Sequence, residues 1–239
     1  MSRKLLIFLL LIIGDFLSTN DFVDERLIFQ QMRLIGTCML AEKLSMHPTA
    51  LSCLLFTFRG SNEYALVPIM ETEIGRKFWR TIFAAANPAY MTFYVRRNTI
   101  KEADADFKKR VFHMWNTKGC SDSMTFISLY NGLPSGEISI GPLRMYEKYP
   151  EIGYITLETF AHKGVASASL KLMINLIKTL VGKGAYAITR LSATCHPQNT
   201  ASSRVLEKVG FRRVRSYAMT SYGIRDLYEM PIIPVTREF

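Results

Sequence analysis

Two stretches of the chain combine small polar residues with helix-starting residues, a pattern typical of sites that bind a polar ligand. The first, TFAHKGVASAS, lies between a strand-like segment and an apolar helix predicted to begin near Val165. Gly164 and the small residues after it let backbone N–H groups approach a ligand closely, and His162 and Lys163 add side-chain donors. Free N–H groups and the positive end of a helix dipole favour phosphate, so this stretch predicts an anion site, with an ordinary tight turn as the alternative.

The second stretch, HPQNTASSRVLEKVGF, follows another strand-like segment, ITRLSATC, and predicts a short helix. Asn199 is a good N-cap, the apolar residues after it recur at helical spacing, and Gly210 suits a left-handed helix end. Asn199 and Ser202 therefore lie at the mouth of a helix. Because both stretches are strand-to-helix turns at equivalent ends of successive strands, we expect them to border one crevice.

The elements that must position these stretches are strands interleaved with helices, recognised from the period of their apolar residues. The predicted strands are Glu63–Ile69, Met124–Tyr130, Glu137–Leu143, Glu151–Glu158, Ala185–Cys195 and a pair within Ser216–Ile233. The predicted helices lie within Met70–Ala86, from Ile100 to Met114 behind a capping box of Thr99 and Glu102, at Val165–Val181 and after Asn199. This order predicts a mixed α+β domain with a largely antiparallel sheet.

The composition is that of a basic globular protein. The 239-residue chain carries a net charge of +10, and the excess lies after Gly60, where 24 Lys or Arg residues face 15 Asp or Glu residues. A basic domain favours anionic ligands such as phosphates, nucleic acids, acidic peptides or membrane surfaces. The four cysteines and four histidines are scattered and form no CxxC pair, so the sequence predicts neither a metal site nor a disulfide framework.

The N-terminal part of the chain differs from the rest. We divide the chain at the RGSN stretch into residues 1–60, a hydrophobic and helical extension, and residues 61–239, the main domain. Arg3 and Lys4 precede an apolar run at residues 5–13 that resembles the first regions of a signal peptide, but it is too short for an ordinary membrane span and no small-x-small cleavage pattern follows. We therefore expect a cytoplasmic protein, with membrane association through residues 5–13 or export as the alternatives.

Three motifs together resemble a known family. In order and spacing they are similar to the GNAT superfamily of acyl-CoA-dependent N-acetyltransferases, and within it to the ribosomal-protein alanine acetyltransferase (RimJ/RimL-like) branch. The motifs are EIGY at Glu151–Tyr154, the loop Gly164-Val165-Ala166, and the block from Asn199 through Ser202 to Phe211. The resemblance extends from Asn62 to Ile233 and leaves out the N-terminal extension.

The resemblance implies a sheet in which two adjacent parallel strands splay apart, with acetyl-CoA as the cosubstrate in the cleft between them. Leu157 and Thr159 would pair with its pantetheine, and Asn199 would hold the pantetheine amide. The phosphates would rest on the backbone of the loop residues His162, Lys163, Gly164, Val165, Ala166 and Ser167.

The chemistry that the resemblance implies is direct attack of a primary amine on the thioester. Such attack needs a proton acceptor, a dipole for the oxyanion and a proton donor for the thiolate. By resemblance, Glu151 is the general base, a backbone N–H near Leu157 serves the oxyanion, and Ser202 protonates the thiolate. Asp226 and Glu229 in the last strand pair are alternative acids. The expected acceptor is a protein N-terminus, a polyamine or another small amine, and the ribosome is an expected partner.

Three positions depart from the family pattern. Ala161 replaces the usual Gln or Arg at the start of the loop, and His162 replaces a Gly of the most similar branch, so a side-chain phosphate contact is either lost or rebuilt by Lys163. Leu206 stands where many members have a catalytic Tyr, which that branch also lacks. These departures leave open a catalytically degenerate acyl-CoA-binding or regulatory module of the same fold. The basic stretch Arg212–Arg215 leaves open a nucleic-acid or ribosome binder, although no specific nucleic-acid module is recognisable.

Overall fold

Strands from the whole length of the described chain form one eight-stranded sheet. The computed structural model describes residues 25–83, 93, 99–116, 123–143, 149–219 and 223–233. The strands are β1 (Phe56–Arg59), β2 (Asn62–Pro68), β3 (Met124–Tyr130), β4 (Leu133–Gly141), β5 (Glu151–Thr156), β6 (Arg190–Cys195), β7 (Arg212–Met219) and β8 (Gly223–Pro231). The helices are α1 (Glu25–Lys43), α2 (Pro48–Leu54), α3 (Glu73–Phe83), α4 (Ile100–Trp115), α5 (Val165–Gly182) and α6 (Thr200–Val209), and a 3₁₀ turn covers Glu158–Phe160.

The strand directions confirm the predicted fold class. The strands lie in the order β1-β2-β3-β4-β5-β6-β8-β7. Every neighbouring pair among them is antiparallel except β5 and β6, which are parallel. The protein is therefore a mixed α+β domain with a mostly antiparallel sheet, and its parallel strands are the two that flank the predicted cleft.

The hairpin of β3 and β4 is tighter than the sequence pattern predicts. Asn131-Gly132 forms a two-residue turn in which both residues have positive φ, 50° and 77°, as a type I′ turn requires. The predicted second strand begins at Glu137, whereas β4 begins at Leu133, because the short turn lets the ladder restart at once. Pro134 is tolerated in this strand because the pairing register shifts beside it.

Three other strand ends differ from the prediction. β5 ends at Thr156 rather than Glu158 because the next residues form the 3₁₀ turn that leads into the loop. β6 begins only at Arg190, and of the predicted residues before it Thr189 still accepts a backbone hydrogen bond from the Ile232 N–H at 2.9 Å. β7 begins at Arg212, where arginines obscured the strand pattern. Arg212 pairs across the ladder with Glu229, and such opposite charges stabilise neighbouring strands.

The helices cover both faces of the sheet. On one face, Arg110 of α4 donates hydrogen bonds to Glu137 at 2.9 Å and to Ser139 at 3.0 Å, both on β4. Burial raises the pKa of Glu137, and the charge of Arg110 acts in the opposite direction. On the other face, Ser169 of α5 hydrogen-bonds to Ser128 of β3 at 2.9 Å. Side chains alternate between the two faces along a strand, and β4 pairs with β5 in a regular register. These contacts therefore define which face of the sheet each β5 side chain occupies.

Helix α4 begins with the capping box predicted from the sequence. The Thr99 hydroxyl accepts from the Glu102 N–H at 3.1 Å, and the Glu102 carboxylate accepts from the Thr99 N–H at 3.0 Å. Ile100, predicted on the buried stripe, is 59% exposed in the first turn. The rest of the predicted stripe is buried, namely Ala103, Phe107, Val111 and Met114.

Helix α5 is almost wholly apolar because it lies in the core. Lys171 and Asn175 are exposed, while Leu170, Met173 and Leu176 are fully buried. Among the described helices only α5 is long and apolar enough to cross a membrane, and 61% of it is buried inside the protein. Packing against the sheet accounts for its apolar length.

The described part of the N-terminal extension, residues 25–60, packs in the same core as the rest of the protein. Phe29 of α1 meets Phe78 of α3 edge-on, with ring centroids 6.1 Å apart, and β1 pairs with β2. The buried apolar residues of this segment are Ile28, Phe29, Met32, Ile35, Leu40, Ala41, Met46, Leu51 and Leu55. The apolar run predicted at residues 5–13 lies outside the described residues.

Candidate active site

A gap opens between the two parallel strands. β5 and β6 pair only at Glu151 and Ser192, where the Ser192 N–H donates to the Pro150 carbonyl at 2.9 Å. Beyond this point β5 continues to Thr156 and β6 to Cys195 without further pairing to each other. The strands therefore diverge toward their carboxyl ends, where the two strand-to-helix turns lie.

Backbone groups of β5 line this gap. The Pro150 carbonyl points toward β6, whereas the Leu157 N–H points the other way and donates to the Ser135 carbonyl at 2.9 Å. Because backbone groups alternate in direction along an antiparallel strand, those of Tyr154 and Thr156, beyond the paired position, face the gap. An extended ligand can pair with such an open strand edge. Near Leu157 the N–H that faces the gap is therefore that of Thr156, and Thr159 lies exposed in the 3₁₀ turn; the roles expected of these groups toward a ligand stay predictions.

The loop at the open end of the gap presents unpaired N–H groups. Gly164 is the N-cap of α5 with φ 79° and no side-chain cap. The N–H groups of Ala161 and Lys163 are used within the turn, donating to Glu158 and Phe160. The loop N–H groups without a protein acceptor among the described residues are those of His162, Gly164, Val165, Ala166 and Ser167. A helix N-terminus of this kind fits a phosphate.

His162, which replaces a glycine of the most similar branch, fits the loop without disrupting it. Its φ is 62°, in the left-handed region that favours glycine. A non-glycine residue there costs about 1 kcal/mol, which a packed fold tolerates. The His162 side chain is exposed, so it does not fill the loop.

Aromatic side chains hold the loop against the sheet. The Tyr64 hydroxyl of β2 donates to the Lys163 carbonyl at 2.8 Å. Tyr64 packs with Tyr130 and Phe160 in a small apolar cluster under the start of α5. The Lys163 ammonium lies 5.1 Å from the centre of the Phe160 ring. The loop geometry is therefore fixed from outside the loop, by a strand near the N-terminus.

Asn199 and Ser202 meet at the start of α6. The Asn199 side-chain carbonyl accepts from the Ser202 N–H at 3.1 Å, which confirms the predicted N-cap. The amide nitrogen of Asn199 has no partner among the described residues and is available as a donor. The roles of Asn199 and Ser202 toward a ligand stay predictions.

Tyr154 contacts Ser202, a pairing that sequence reasoning missed. Its hydroxyl lies 2.8 Å from the Ser202 hydroxyl and 3.2 Å from the Ser202 carbonyl oxygen. Burial raises the pKa of the Tyr154 phenol far above its ordinary value, so it stays protonated across the working range of enzymes. Its place in the EIGY motif was visible, but its partner on α6 was not, because 48 residues separate them.

Glu151 lies on the opposite face of the sheet from Tyr154 and Ser202. The strand register is unbroken from Glu151 to Thr156, so side-chain alternation puts Glu151 on the α4 face. Its exposed carboxylate accepts from the Thr194 hydroxyl at 2.6 Å. Partial burial, and after it the nearby Glu151 charge, raises the pKa of Tyr217. The gap thus has an acid on one face and a hydroxyl pair on the other.

The alternative acids are engaged elsewhere. Asp226 is buried and accepts hydrogen bonds from Ser216 at 2.6 Å and Arg213 at 2.8 Å. Glu229 pairs with Arg190 at 2.9 Å. Asp226 and Glu229 thus each have an arginine partner, whereas the hydrogen-bond partner of Glu151 is the neutral Thr194 hydroxyl. Within the described ranges, no group of three or more His, Cys, Asp or Glu side chains could hold a metal ion.

A family model described as an acetyltransferase (GNAT) domain matches residues 73–212, which is more than half of the chain. No curated protein matches the sequence significantly. The match begins within the described fold at α3, so α1, α2, β1 and β2 lie outside it.

Solved structures share the fold. One is an acetyltransferase from Salmonella typhimurium that modifies the N-terminal serine of a 50S ribosomal subunit protein, at 17% identity and a TM-score of 0.57, covering 73% of this chain and 97% of that one. Another is RimJ from Mycobacterium smegmatis in complex with a CoA disulfide, at 19% identity and 0.54, covering 71% and 82%. A third is RimL in complex with coenzyme A, at 17% identity and 0.59, covering 74% and 98%. At these identities the likeness is one of fold.

Proposed function

The chain belongs to the acetyltransferase (GNAT) family, and from that membership we propose that it transfers an acetyl group from acetyl-CoA to a primary amine. The observation that carries the proposal is the gap between β5 and β6, which opens onto the unpaired N–H groups of the Gly164 loop. The gap offers a strand edge to an extended chain, and the loop offers donors to its phosphates. Acetyl-CoA has both parts in this order.

Different residues of this chain bind different parts of the cosubstrate. The loop from His162 to Ser167 takes the pyrophosphate through its N–H groups. The gap-facing backbone of β5 pairs with the pantetheine arm, and the Asn199 amide nitrogen donates to it. Ala161 contributes no side-chain contact to the phosphates, so this loop depends on its backbone and on cations near it.

In the reaction, the amine nitrogen forms a bond to the acetyl carbonyl carbon, and the C–S bond of the thioester breaks. Glu151 accepts the proton that the attacking amine releases, and the gap-facing N–H groups of β5 stabilise the oxyanion. Ser202 protonates the departing thiolate from the opposite face. Tyr154, which stays protonated, is a positioning residue that holds the Ser202 hydroxyl at 2.8 Å.

A protein N-terminal amine is the acceptor we favour. The Salmonella enzyme with the same fold modifies an N-terminal serine on a ribosomal protein, and the net charge of +10 on this chain suits a partner bound to ribosomal RNA. Polyamines and other small amines are the competing acceptors. The ribosome is accordingly the partner that we propose.

Titration of acetyl-CoA into the full chain tests the proposal. We expect saturable binding, in the micromolar range typical of enzyme substrates, that desulfo-CoA reproduces in part and ATP does not. Turnover is then measured with peptides that carry N-terminal serine or alanine and with polyamines. Binding without turnover on any amine would favour the regulatory module. The absence of acetyl-CoA binding in a folded sample, with salt-dependent RNA binding, would favour the nucleic-acid binder.

Two hydroxyl substitutions test the proton donor. We expect Ser202→Ala to lower kcat by about a hundredfold, because general-acid groups contribute at least that much. Tyr154→Phe should lower kcat by about tenfold and leave KM for acetyl-CoA unchanged, because it only orients Ser202. Tyr149→Phe, at an exposed tyrosine, is the matched control. If Tyr154→Phe lowers the melting temperature but leaves kcat unaltered, Tyr154 anchors α6 and nothing more.

A further inference from the structure

Arg59 lies beside the phosphate loop although it comes from the N-terminal part of the chain. It is the last residue of β1, outside residues 73–212 that the family model matches. Its Nη1 atom is 3.8 Å from the position that a Cβ on Gly164 would occupy. Its guanidinium also lies over the Tyr64 ring, 5.7 Å from the ring centre. Tyr64 in turn holds the loop through the Lys163 carbonyl, so Arg59 and the loop share one support.

The charge around Arg59 is uncompensated. Within the described part of the chain, neither Arg59 nor Lys163 has an Asp or Glu carboxylate within salt-bridge distance. By contrast, Arg33 pairs with Glu63 on the neighbouring strand at 3.1 Å. The N-terminus of α5 adds a partial positive charge at the same place. Two cations and a positive helix end at one loop favour the binding of an anion there.

The half-buried position of Arg59 makes the side chain suitable for that anion. The Tyr64 ring supports the flat guanidinium, which reduces the freedom that Arg59 would lose on binding. A guanidinium offers paired donors that match two oxygens of a phosphate. Ala161 has no such donor, so the loop lacks the side-chain phosphate contact that the family usually makes from its first position.

We propose that Arg59 binds the pyrophosphate of acetyl-CoA at the Gly164 loop and replaces the side-chain contact that Ala161 cannot make. This inference rests on the proposed function, because it assumes that the loop takes acetyl-CoA. It makes β1 part of the cosubstrate site. The N-terminal segment then contributes a ligand contact as well as core packing.

Calorimetric titration of acetyl-CoA into the full-length Arg59→Gln variant tests the inference. We expect Kd to rise about tenfold, because a charge-assisted hydrogen bond to a partly exposed phosphate is lost. We expect kcat at saturating acetyl-CoA to stay unchanged, since three strands, β2, β3 and β4, separate β1, which carries Arg59, from β5, which carries Glu151. Arg212→Gln, at an exposed arginine on the opposite edge of the sheet, is the matched control and should leave Kd unaltered.

Titration with a second ligand distinguishes contacts to the pyrophosphate from contacts to the 3′-phosphate. Dephospho-CoA lacks the 3′-phosphate, so the loss caused by Arg59→Gln should persist with it. A loss that disappears with dephospho-CoA would assign Arg59 to the 3′-phosphate and overturn the pyrophosphate assignment. An unchanged Kd in a variant with unaltered melting temperature would overturn the inference while leaving the proposed function intact. If the unaltered protein binds no acetyl-CoA, the proposed function and this inference both fail. The titration of the unaltered protein is therefore carried out first.

Discussion

A glutamate at position 164 should abolish acetyl-CoA binding, with Kd rising at least a hundredfold. Gly164 has φ 79°, and a Cβ there would meet the Tyr64 hydroxyl at 3.5 Å, an ordinary contact, so the protein can accommodate the side chain. The new carboxylate would cap the free N–H groups of α5 and put a negative charge where the pyrophosphate is expected. Binding measured by calorimetry checks this result, together with the melting temperature.

Gly184→Glu is the control that separates charge from backbone strain. Gly184 follows the other end of α5 with φ 72°, and nothing lies within 4 Å of a Cβ built on it. Both substitutions put the same residue into the left-handed region, at about 1 kcal/mol each. The Gly184 variant should therefore lose similar stability and keep its affinity. Acetyl-CoA binding by a folded Gly164→Glu protein would remove the loop from the site.

A chain that begins at Ser61 should fail to fold. Removing residues 1–60 takes away α1, α2, β1 and the segments that connect them, which together contribute nine buried apolar residues to the core around β2 and α3. The loss would leave the apolar residues of β2 and α3 that pack against this segment exposed, at about 1.5–3 kcal/mol for each large side chain, whereas a typical domain is stabilised by only about 5–15 kcal/mol in total. Circular dichroism and size-exclusion chromatography of the shortened chain measure the outcome.

Two point variants in α1 test the same packing within the full chain. Phe29 is 1% exposed and Leu34 is 68% exposed. Phe29→Ala should lower the free energy of unfolding by about 3–5 kcal/mol, and Leu34→Ala should change it by less than about 0.5 kcal/mol. A shortened chain that folds and unfolds cooperatively would mean that residues 61–239 are an independent domain, as the RGSN stretch suggested.

The elements with local signals were predictable from the sequence. The capping box of Thr99 and Glu102 forms as expected, because both of its bonds lie within one turn of helix. The strands of the sheet follow their apolar alternation. The boundaries that moved, at Leu133 and Arg212, depend on which strand lies opposite, and pairing partners are not written in the local pattern.

In the candidate site too, local features were predictable from the sequence and contacts between distant residues were not. The Gly164 turn and the Asn199 cap were visible because each is a short strand-to-helix junction with its own composition. The contacts of Tyr154 with Ser202 and of Arg59 with the loop were not, since each joins residues far apart in the chain. Which N–H near Leu157 faces the gap could not be predicted, because alternation fixes a donor's direction only once the neighbouring strand is known.

The placement of Glu151 and Ser202 on opposite faces of the sheet has a kinetic meaning. With Glu151 as the proposed base and Ser202 as the proposed acid, the amine would approach from the α4 face and the thiol product would leave on the α6 side. We therefore expect a ternary complex of both substrates, in which the acetyl group passes directly from donor to acceptor without a covalent acetyl-enzyme intermediate. A sheet that opens between one pair of strands would thus be accessible to the two substrates from opposite faces.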